Sequence, residues 1–173
     1  MPLATQIENT TKDTKDTKEI YTLKIHKEVF SGRVSSMTMK RRNSQYQPIP
    51  ECVEEIARKC LDSAFKVHSA LGPGLLESVY EACLAHEFKL QGIKFEAQTT
   101  LPIVYDGNIV ESALRLDIFV EKCVILEIKS VDILNPIHKA QLFTYLKLSG
   151  VRLGLLINFN VIHLRDGITR IVY

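Results

Sequence analysis

Two neighbouring stretches between residues 111 and 130 constrain the fold most, because branched apolar side chains recur in them at every second position. An apolar period of two is typical of β-strands that bury one face. Antiparallel pairing through a three-residue connection at 120–122 would place all of these side chains on the same face. The predicted pairs are Ile118 with Val124, Leu116 with Leu126, and Leu114 with Ile128.

The other face of this predicted hairpin carries Asp117 on its first strand and Glu127 and Lys129 on its second. In this register Asp117 lies diagonal to Glu127, with Cα atoms about 7–8 Å apart, so both carboxylates can reach one cation. Adjacent carboxylates repel each other and need a compensating positive charge, for which Mg²⁺ or Mn²⁺ is suited. Lys129 would stand near the water bound to such an ion and stabilise charge on a phosphate under attack. The pattern predicts phosphodiester hydrolysis.

A simpler interpretation of the same charges stays open. Arg115 and Lys129 could form cross-strand ion pairs with Glu127 and Asp117 on a solvated sheet face, which antiparallel sheets commonly have. An aspartate followed by Glu-x-Lys is a common pattern, so the hairpin alone does not separate a structural cluster from a catalytic one.

The rest of the chain predicts two helices before these strands and a third helix after them. Apolar residues at spacings of three and four from Val53 to Leu71 indicate a first helix that ends at Gly72-Pro73-Gly74. A second helix is expected from about Leu75 to Leu90, and strands at 95–105, 111–120 and 123–130. A third helix is expected from Asn135-Pro136 to about Ser149, followed by strands at 153–159 and 168–172.

Composition separates a polar tail, residues 1–50, from a folded body, residues 51–173. The tail has nine basic and five acidic residues, hence a charge of +4, and the body has thirteen and fifteen, hence −2. The tail is expected to be flexible, with only a short strand near Tyr21, Leu23 and Ile25, and its basic charge is compatible with a nucleic-acid partner. No apolar run is long enough to span a bilayer and no secretion signal is evident, which predicts a cytoplasmic protein.

The four cysteines lack metal-ligand spacing and are expected to be buried thiols. Their positions are Cys52, Cys60, Cys83 and Cys123.

Three further segments resemble the GxxExxY protein family, a branch of the PD-(D/E)XK nuclease superfamily. They are Gly74 to Tyr80, which contains the Gly-x-x-Glu-x-x-Tyr signature, Pro136 to Leu146, and Gly154 to Phe159. Together with Asp117 and Glu127-Ile128-Lys129 they extend the resemblance over residues 51–173. It implies an αβββαβ core, a restriction-endonuclease-like α/β fold in which helices flank a mixed central sheet.

The resemblance also implies roles for individual residues. Asp117 and Glu127 would be metal ligands, Lys129 the catalytic lysine, and Glu77 a further acidic residue at the metal or its water. Leu116 stands where the superfamily name has proline. Glu77 has a bland alternative, because a carboxylate at a helix N-terminus is favoured by the helix dipole in any case.

In the later helix, Gln141 and Tyr145 resemble the Gln-x-x-x-Tyr element of RecB-like nucleases, which supports the metal site. His138, Gln141 and Tyr145 are spaced to lie along one side of that helix. The alternatives are that Tyr145 packs in the core and that His138 is a capping or surface residue.

The sequence therefore predicts a Mg²⁺- or Mn²⁺-dependent nuclease that acts on DNA or RNA. The alternative is a catalytically inactive nuclease-fold module that binds nucleic acid or protein. An enzyme for another phosphate ester would lack the expected glycine-rich phosphate loop. The sequence leaves the oligomeric state open, a homodimer included.

Overall fold

The computed structural model describes residues 47–173, without the side chains of residues 104 and 111–113. In chain order the elements are α1 (Glu51–Leu71), α2 (Glu77–Leu90), β1 (Phe95–Tyr105), β2 (Asn108–Val120), β3 (Val124–Lys129), α3 (Pro136–Ser149), β4 (Leu153–Asn158), a 3-10 helix (Leu164–Gly167) and β5 (Ile168–Val172). The predicted αβββαβ order is confirmed. The 3-10 turn was not predicted, and the predicted strand near Tyr21 lies outside the described residues.

The helix boundaries follow from local chemistry. Helix α1 ends where Gly72 takes a φ of 69° and Pro73 removes a backbone donor. Helix α3 begins with Pro136 in its first turn, where a missing N–H is harmless, and Gly150 follows it in the left-handed conformation. The predicted ends of α1 and α3 are therefore confirmed, whereas α2 begins at Glu77 rather than Leu75.

The five strands form one sheet in the order β1-β2-β3-β4-β5. All neighbours are antiparallel except β3 and β4, which are parallel because α3 crosses between them. The main apolar core combines one face of this sheet with the inward residues of α1 and α2. Helix α3 covers the other face, where Gly154 of β4 leaves room for the side chain of Leu142. Glu127 of β3 is 1% exposed and therefore does not lie on a solvated sheet face.

The predicted register of the β2–β3 hairpin is wrong by two residues. The observed pairs are Ile118 with Leu126, Phe119 with Ile125 and Val120 with Val124. The connection has the predicted length of three residues but comprises 121–123, and Glu121 and Lys122 have φ values of 45° and 54°. This register pairs two fully buried valines, Val120 and Val124, whereas the predicted one left Val120 in the turn. A shift of two keeps each side chain on its predicted face.

Two smaller expectations also need correction. The strand predicted at 111–120 begins at Asn108, because Asp106 and Gly107, with φ values of 49° and 76°, form a two-residue turn. Of the four cysteines only Cys60 is buried; Cys52 is exposed on α1, and the other two are partly buried.

The division into a tail and a body at residue 50 stays a prediction. Ile49 is already packed in the core, and Arg152 donates a hydrogen bond to the carbonyl oxygen of Pro48. The predicted flexible tail otherwise lies outside the described part of the chain. None of the helices within residues 47–173 combines the length and apolar character needed to cross a bilayer.

Candidate active site

Asp117, Glu127 and Lys129 come together where β2 and β3 run side by side. The ammonium Nζ of Lys129 lies 2.7 Å from Glu127 Oε1 and 3.9 Å from Asp117 Oδ2. Extending the observed register by one pair places Asp117 opposite Glu127 rather than diagonal to it. Asp117 Oδ2 also accepts a hydrogen bond of 2.8 Å from the backbone N–H of Ile128, which fixes this carboxylate against β3. The predicted grouping of the three charges on one face is therefore present.

Burial makes the ionisation of these carboxyl groups costly. Glu127 is 1% exposed, and its burial, together with the Asp117 carboxylate, raises its pKa to about 7 against the opposing effect of Lys129. Burial also raises the pKa of Asp117, although the Ile128 N–H and Lys129 act in the other direction. For Lys129 burial lowers the pKa, but the hydrogen bond to Glu127 and the three carboxylates around it outweigh burial and raise it. The cluster has more negative than positive charge.

The second oxygen of Glu127, Oε2, is buried and has no hydrogen-bond partner. A buried carboxylate oxygen without a partner is unfavourable, and most such atoms in proteins bind a donor, a water or an ion. A hard divalent cation fits this oxygen and the nearby Asp117 carboxylate, because Mg²⁺ is commonly held by one or two carboxylates plus water and substrate phosphate. The donor set therefore fits the predicted metal.

Glu77 reaches the same place from the first residue of α2. Its Oε1 accepts a hydrogen bond of 3.1 Å from the backbone N–H of Ser130, the residue after Lys129. Its charge also contributes to the raised pKa values of Asp117 and Glu127. Within residues 47–173, however, no three His, Cys, Asp or Glu side chains are grouped closely enough to hold an ion by themselves. A role for Glu77 as third ligand stays a prediction.

The Gly-x-x-Glu-x-x-Tyr segment holds Glu77 in position through Tyr80. The Tyr80 ring is fully buried and stacks on Phe159 at 4.4 Å between centroids. Its hydroxyl donates to the Gly72 carbonyl oxygen at 2.7 Å and accepts from the Leu75 N–H at 3.2 Å, so it closes the turn before α2. The hydroxyl of Ser130 donates to the Leu75 carbonyl oxygen at 2.6 Å. Tyr80 therefore packs in the core, and these hydrogen bonds tie the turn before α2 to the end of β3.

Asn158 was missed by the sequence analysis. It is 2% exposed and pairs with Lys129 across the parallel β3–β4 ladder. Its amide donates to the carbonyl oxygen of Val131 at 2.8 Å and accepts from the N–H of Val131 at 3.0 Å. This double hydrogen bond holds the chain just after Lys129 and Ser130. An asparagine at a strand end gives no signal that distinguishes such a clamp from a turn residue.

A cleft of about 590 Å³ adjoins the cluster, and Glu77, Ser130 and Arg115 belong to its wall. Lys129 directly precedes Ser130, and Asp117 lies two positions from Arg115 on the same strand. Two further wall residues, Glu81 and Gln98, were not predicted as site residues. Burial raises the pKa of Glu81, while its hydrogen bond from Gln98 lowers it.

The predicted site residues of α3 are His138, Gln141 and Tyr145. Gln141 Nε2 donates to the hydroxyl of Tyr145 at 2.8 Å, so their expected neighbourhood on the helix is present. His138 is partly buried, and its Nδ1 has no hydrogen-bond partner. Among the described residues, no hydrogen bond or ion pair joins these three side chains to Asp117, Glu127 or Lys129. Their participation in the site stays a prediction.

Comparisons with known proteins bear on the family. A family model described as the PD-(D/E)XK nuclease superfamily matches residues 54–171. No curated protein matches the chain. Among solved structures, the chain is similar to the crystal structure of SSO0001, with 18% sequence identity and a TM-score of 0.39 over 90% of this chain and 75% of that one. The narrower assignment to the GxxExxY family stays a prediction. Because the matched model spans most of the sequence and includes every strand that carries the charged cluster, the chain belongs to the PD-(D/E)XK nuclease superfamily.

Proposed function

We propose that this protein is a metal-dependent nuclease that hydrolyses phosphodiester bonds of DNA or RNA. Members of the superfamily are usually nucleases and generally use divalent metals such as Mg²⁺. The observation that carries the proposal is the buried Glu127 carboxylate, which has one unpartnered oxygen and lies beside Asp117 and Lys129. A purely structural ion pair would have no need of an unsatisfied buried acceptor.

Each residue of the cluster has a distinct task in this proposal. Asp117 and Glu127 would hold Mg²⁺ or Mn²⁺, which when bound supplies a Lewis acid to the phosphate and lowers the pKa of water. Lys129 would orient the attacking water and stabilise the charge that develops on the phosphate oxygens, because its ammonium is held by Glu127. Glu77 would fix the segment after β3 through Ser130, and Gln141 with Tyr145 would support the site from α3.

The direct test is cleavage of linear, circular, single-stranded and structured nucleic acids by the purified full chain in Mg²⁺ or Mn²⁺. Wild type is expected to cut at least one of these substrates, and EDTA is expected to stop it. Lys129→Ala is expected to lower kcat by about 10²- to 10³-fold, the usual cost of removing one donor that stabilises transition-state charge. Lys89→Ala, a change at an exposed lysine near the end of α2, is the matched control and should cut at the wild-type rate.

Two results would contradict the enzyme proposal. One is a wild-type protein that is inert on all four substrate classes with either metal. The other is a Lys129→Ala variant that cuts as fast as wild type, because a second nuclease in the preparation would then account for the activity.

A second candidate is a nuclease-fold module without catalysis that binds nucleic acid or protein. It is favoured by the ion pairs of Lys129 with both carboxylates, which already offset part of their charge. Calorimetric titration with Mn²⁺ separates the two candidates. The enzyme requires metal binding that Glu127→Gln abolishes, and the module requires none.

A further inference from the structure

A chain of three polar side chains crosses the wall of the cleft from α2 to β2. The Gln98 amide donates to Glu81 Oε2 and its carbonyl oxygen accepts a hydrogen bond from Nε of Arg115. Gln98 therefore links an acidic residue of α2 to a basic residue of β2. The link uses only one nitrogen of the Arg115 guanidinium.

The backbone at Gln98 is unusual for this linking role. Its φ is 52°, in the left-handed region that residues other than glycine rarely adopt. The β1–β2 ladder pairs Ala97 with Ile118 and Thr99 with Leu116, which places Gln98 opposite Asp117 at a point where no pair is formed. Such conformations persist where the surrounding structure requires them and are concentrated at functional sites. The strand is thus distorted at the position that holds Arg115.

The guanidinium of Arg115 is available to a ligand. The residue is exposed, and no hydrogen bond within residues 47–173 uses its two terminal amino groups. Arg115 and Asp117 lie on the same face of β2, about 7 Å apart along the strand. A planar guanidinium whose orientation is fixed through Nε presents its other donors in the arrangement that suits two oxygens of one phosphate.

The cleft also needs a positive charge if a polyanion is to enter it. Glu77 and Glu81 both belong to its wall, and their carboxylates would repel a nucleic-acid backbone. Arg115 is the cationic residue among the residues that form this wall. Its position beside Asp117 puts that charge next to the place of the proposed chemistry.

We propose that Arg115, oriented by Gln98, binds a backbone phosphate adjacent to the one that is cleaved, and so sets how a nucleic-acid strand enters the site. The inference rests on the proposed nuclease function. Arg115 is then a substrate-binding residue, Gln98 is a positioning residue, and Glu81 holds Gln98 in place.

The test measures how salt weakens binding of a fluorescent oligonucleotide, as single strand and as duplex, in Mg²⁺. The full chain carries Lys129→Ala in every arm, because the expected loss of about 10²- to 10³-fold in kcat keeps cleavage small while binding is measured. Adding Arg115→Ala is expected to weaken binding about tenfold at low salt and to lower the slope of log affinity against log salt by about one, the signature of one lost phosphate contact. Arg170→Ala is the matched control, because Arg170 lies on β5 and pairs with Glu54 of α1; its slope should be unchanged.

Two further variants separate charge from geometry. Arg115→Lys keeps the charge, so the slope should stay while affinity falls several-fold with the loss of the planar fork. Gln98→Leu should likewise leave the slope unchanged and lower the affinity several-fold, because the Arg115 guanidinium keeps its charge but loses the hydrogen bond that orients it. If Arg115→Ala does not fold, as judged by circular dichroism, unchanged affinity of Arg115→Lys and Gln98→Leu would overturn the inference.

The outcomes distinguish this inference from the proposed function. Salt-dependent binding with the same slope in the Arg115→Ala and Arg170→Ala arms overturns the role of Arg115 and leaves the nuclease proposal standing. Absence of any oligonucleotide binding, together with absence of cleavage by wild type, overturns both.

Discussion

At the scale of single residues, the Glu127 carboxyl group is costly to ionise in the folded protein, because it is almost completely buried. Lys129 lies 2.7 Å away, yet burial and the Asp117 carboxylate still raise the Glu127 pKa to about 7. One lysine shared between two carboxylates does not offset their combined desolvation. A further cation bound at the cluster would therefore stabilise the two carboxylates.

This imbalance predicts an unusual dependence of stability on pH in EDTA. The Glu127 pKa is near its ordinary value of 4.5 in the unfolded chain and about 7 in the folded one. The folded state thus binds the proton of Glu127 more tightly than the unfolded state does. The resulting contribution to the free energy of unfolding is fully present below pH 4.5 and is lost as the pH rises through about 7. The raised pKa of Asp117 acts in the same direction. Above pH 7 the free energy of unfolding contributed by Glu127 is lower than at acid pH by about 3 kcal/mol.

Urea unfolding at pH 5 and pH 8 checks this. Wild type should lose stability between the two, and Glu127→Gln, which cannot ionise there, should lose much less. Mg²⁺ should reverse the trend for wild type, because binding requires the deprotonated carboxylates and releases protons. An identical pH dependence in wild type and Glu127→Gln would show that the folded pKa of Glu127 is ordinary.

At the scale of elements, the site depends on how the end of β3 is held. The N–H of Ser130 is bound by Glu77 of α2, and both backbone groups of Val131 are bound by Asn158 of β4. The N–H of Phe159 donates to the Lys129 carbonyl oxygen at 2.8 Å, which extends the β3–β4 ladder beyond the last strand residue. Helix α2 and strand β4 together therefore fix the backbone that follows Lys129 at the end of β3.

Asn158→Ala is therefore expected to impair both stability and activity. It leaves the N–H and the carbonyl oxygen of Val131, which are part-buried, without their partners. A fully buried group left unpaired costs about 1–3 kcal/mol, and partial exposure reduces that cost, so the free energy of unfolding should fall by roughly 2–4 kcal/mol. The control is Asn160→Ala, which removes a more exposed hydrogen bond to Asp132 and should cost under about 1 kcal/mol. Chemical unfolding of both variants checks the difference. Equal losses would mean that the Asn158 clamp has no special role.

At the scale of the whole molecule, the sheet places the site at the border between two layers. Helices α1 and α2 cover one face and α3 covers the other, and the charged cluster lies where β2 and β3 meet the beginning of α2. The hydrophobic periodicity predicts the helices and strands well, because the period of two on β2 and β3 and the period of three to four on α1 are local properties of the sequence. The covering of the sheet by helices was implied by the resemblance to the nuclease superfamily and not by periodicity. The face on which Asp117, Glu127 and Lys129 lie follows from the same alternation, even though the exact pairing does not.

Contacts between distant segments could not be predicted in this way. Gln98 of β1 forms hydrogen bonds with Glu81 of α2 and Arg115 of β2. Asn158 of β4 forms hydrogen bonds with Val131, in the loop after β3. No local pattern specifies such partners, because they depend on how β1 bends and on the parallel register of β3 and β4. The predicted register of the hairpin was wrong for a related reason. The predicted and the observed register both keep the apolar residues on one face, and the choice between them depends on the packing of Val120 against Val124.

The proposed function depends on Asp117 and Glu127 sharing a divalent cation beside Lys129. The most direct measurement is a crystal structure of the full chain soaked in Mn²⁺, with the ion located by its anomalous scattering. We expect a peak about 2.0–2.3 Å from an Asp117 carboxylate oxygen and from Glu127 Oε2, close to the distances at which oxygen ligands bind divalent cations, with Lys129 still beside Glu127 Oε1. A Mn²⁺ peak at another place, or no Mn²⁺ peak at all, would rule out a shared metal site at these two carboxylates.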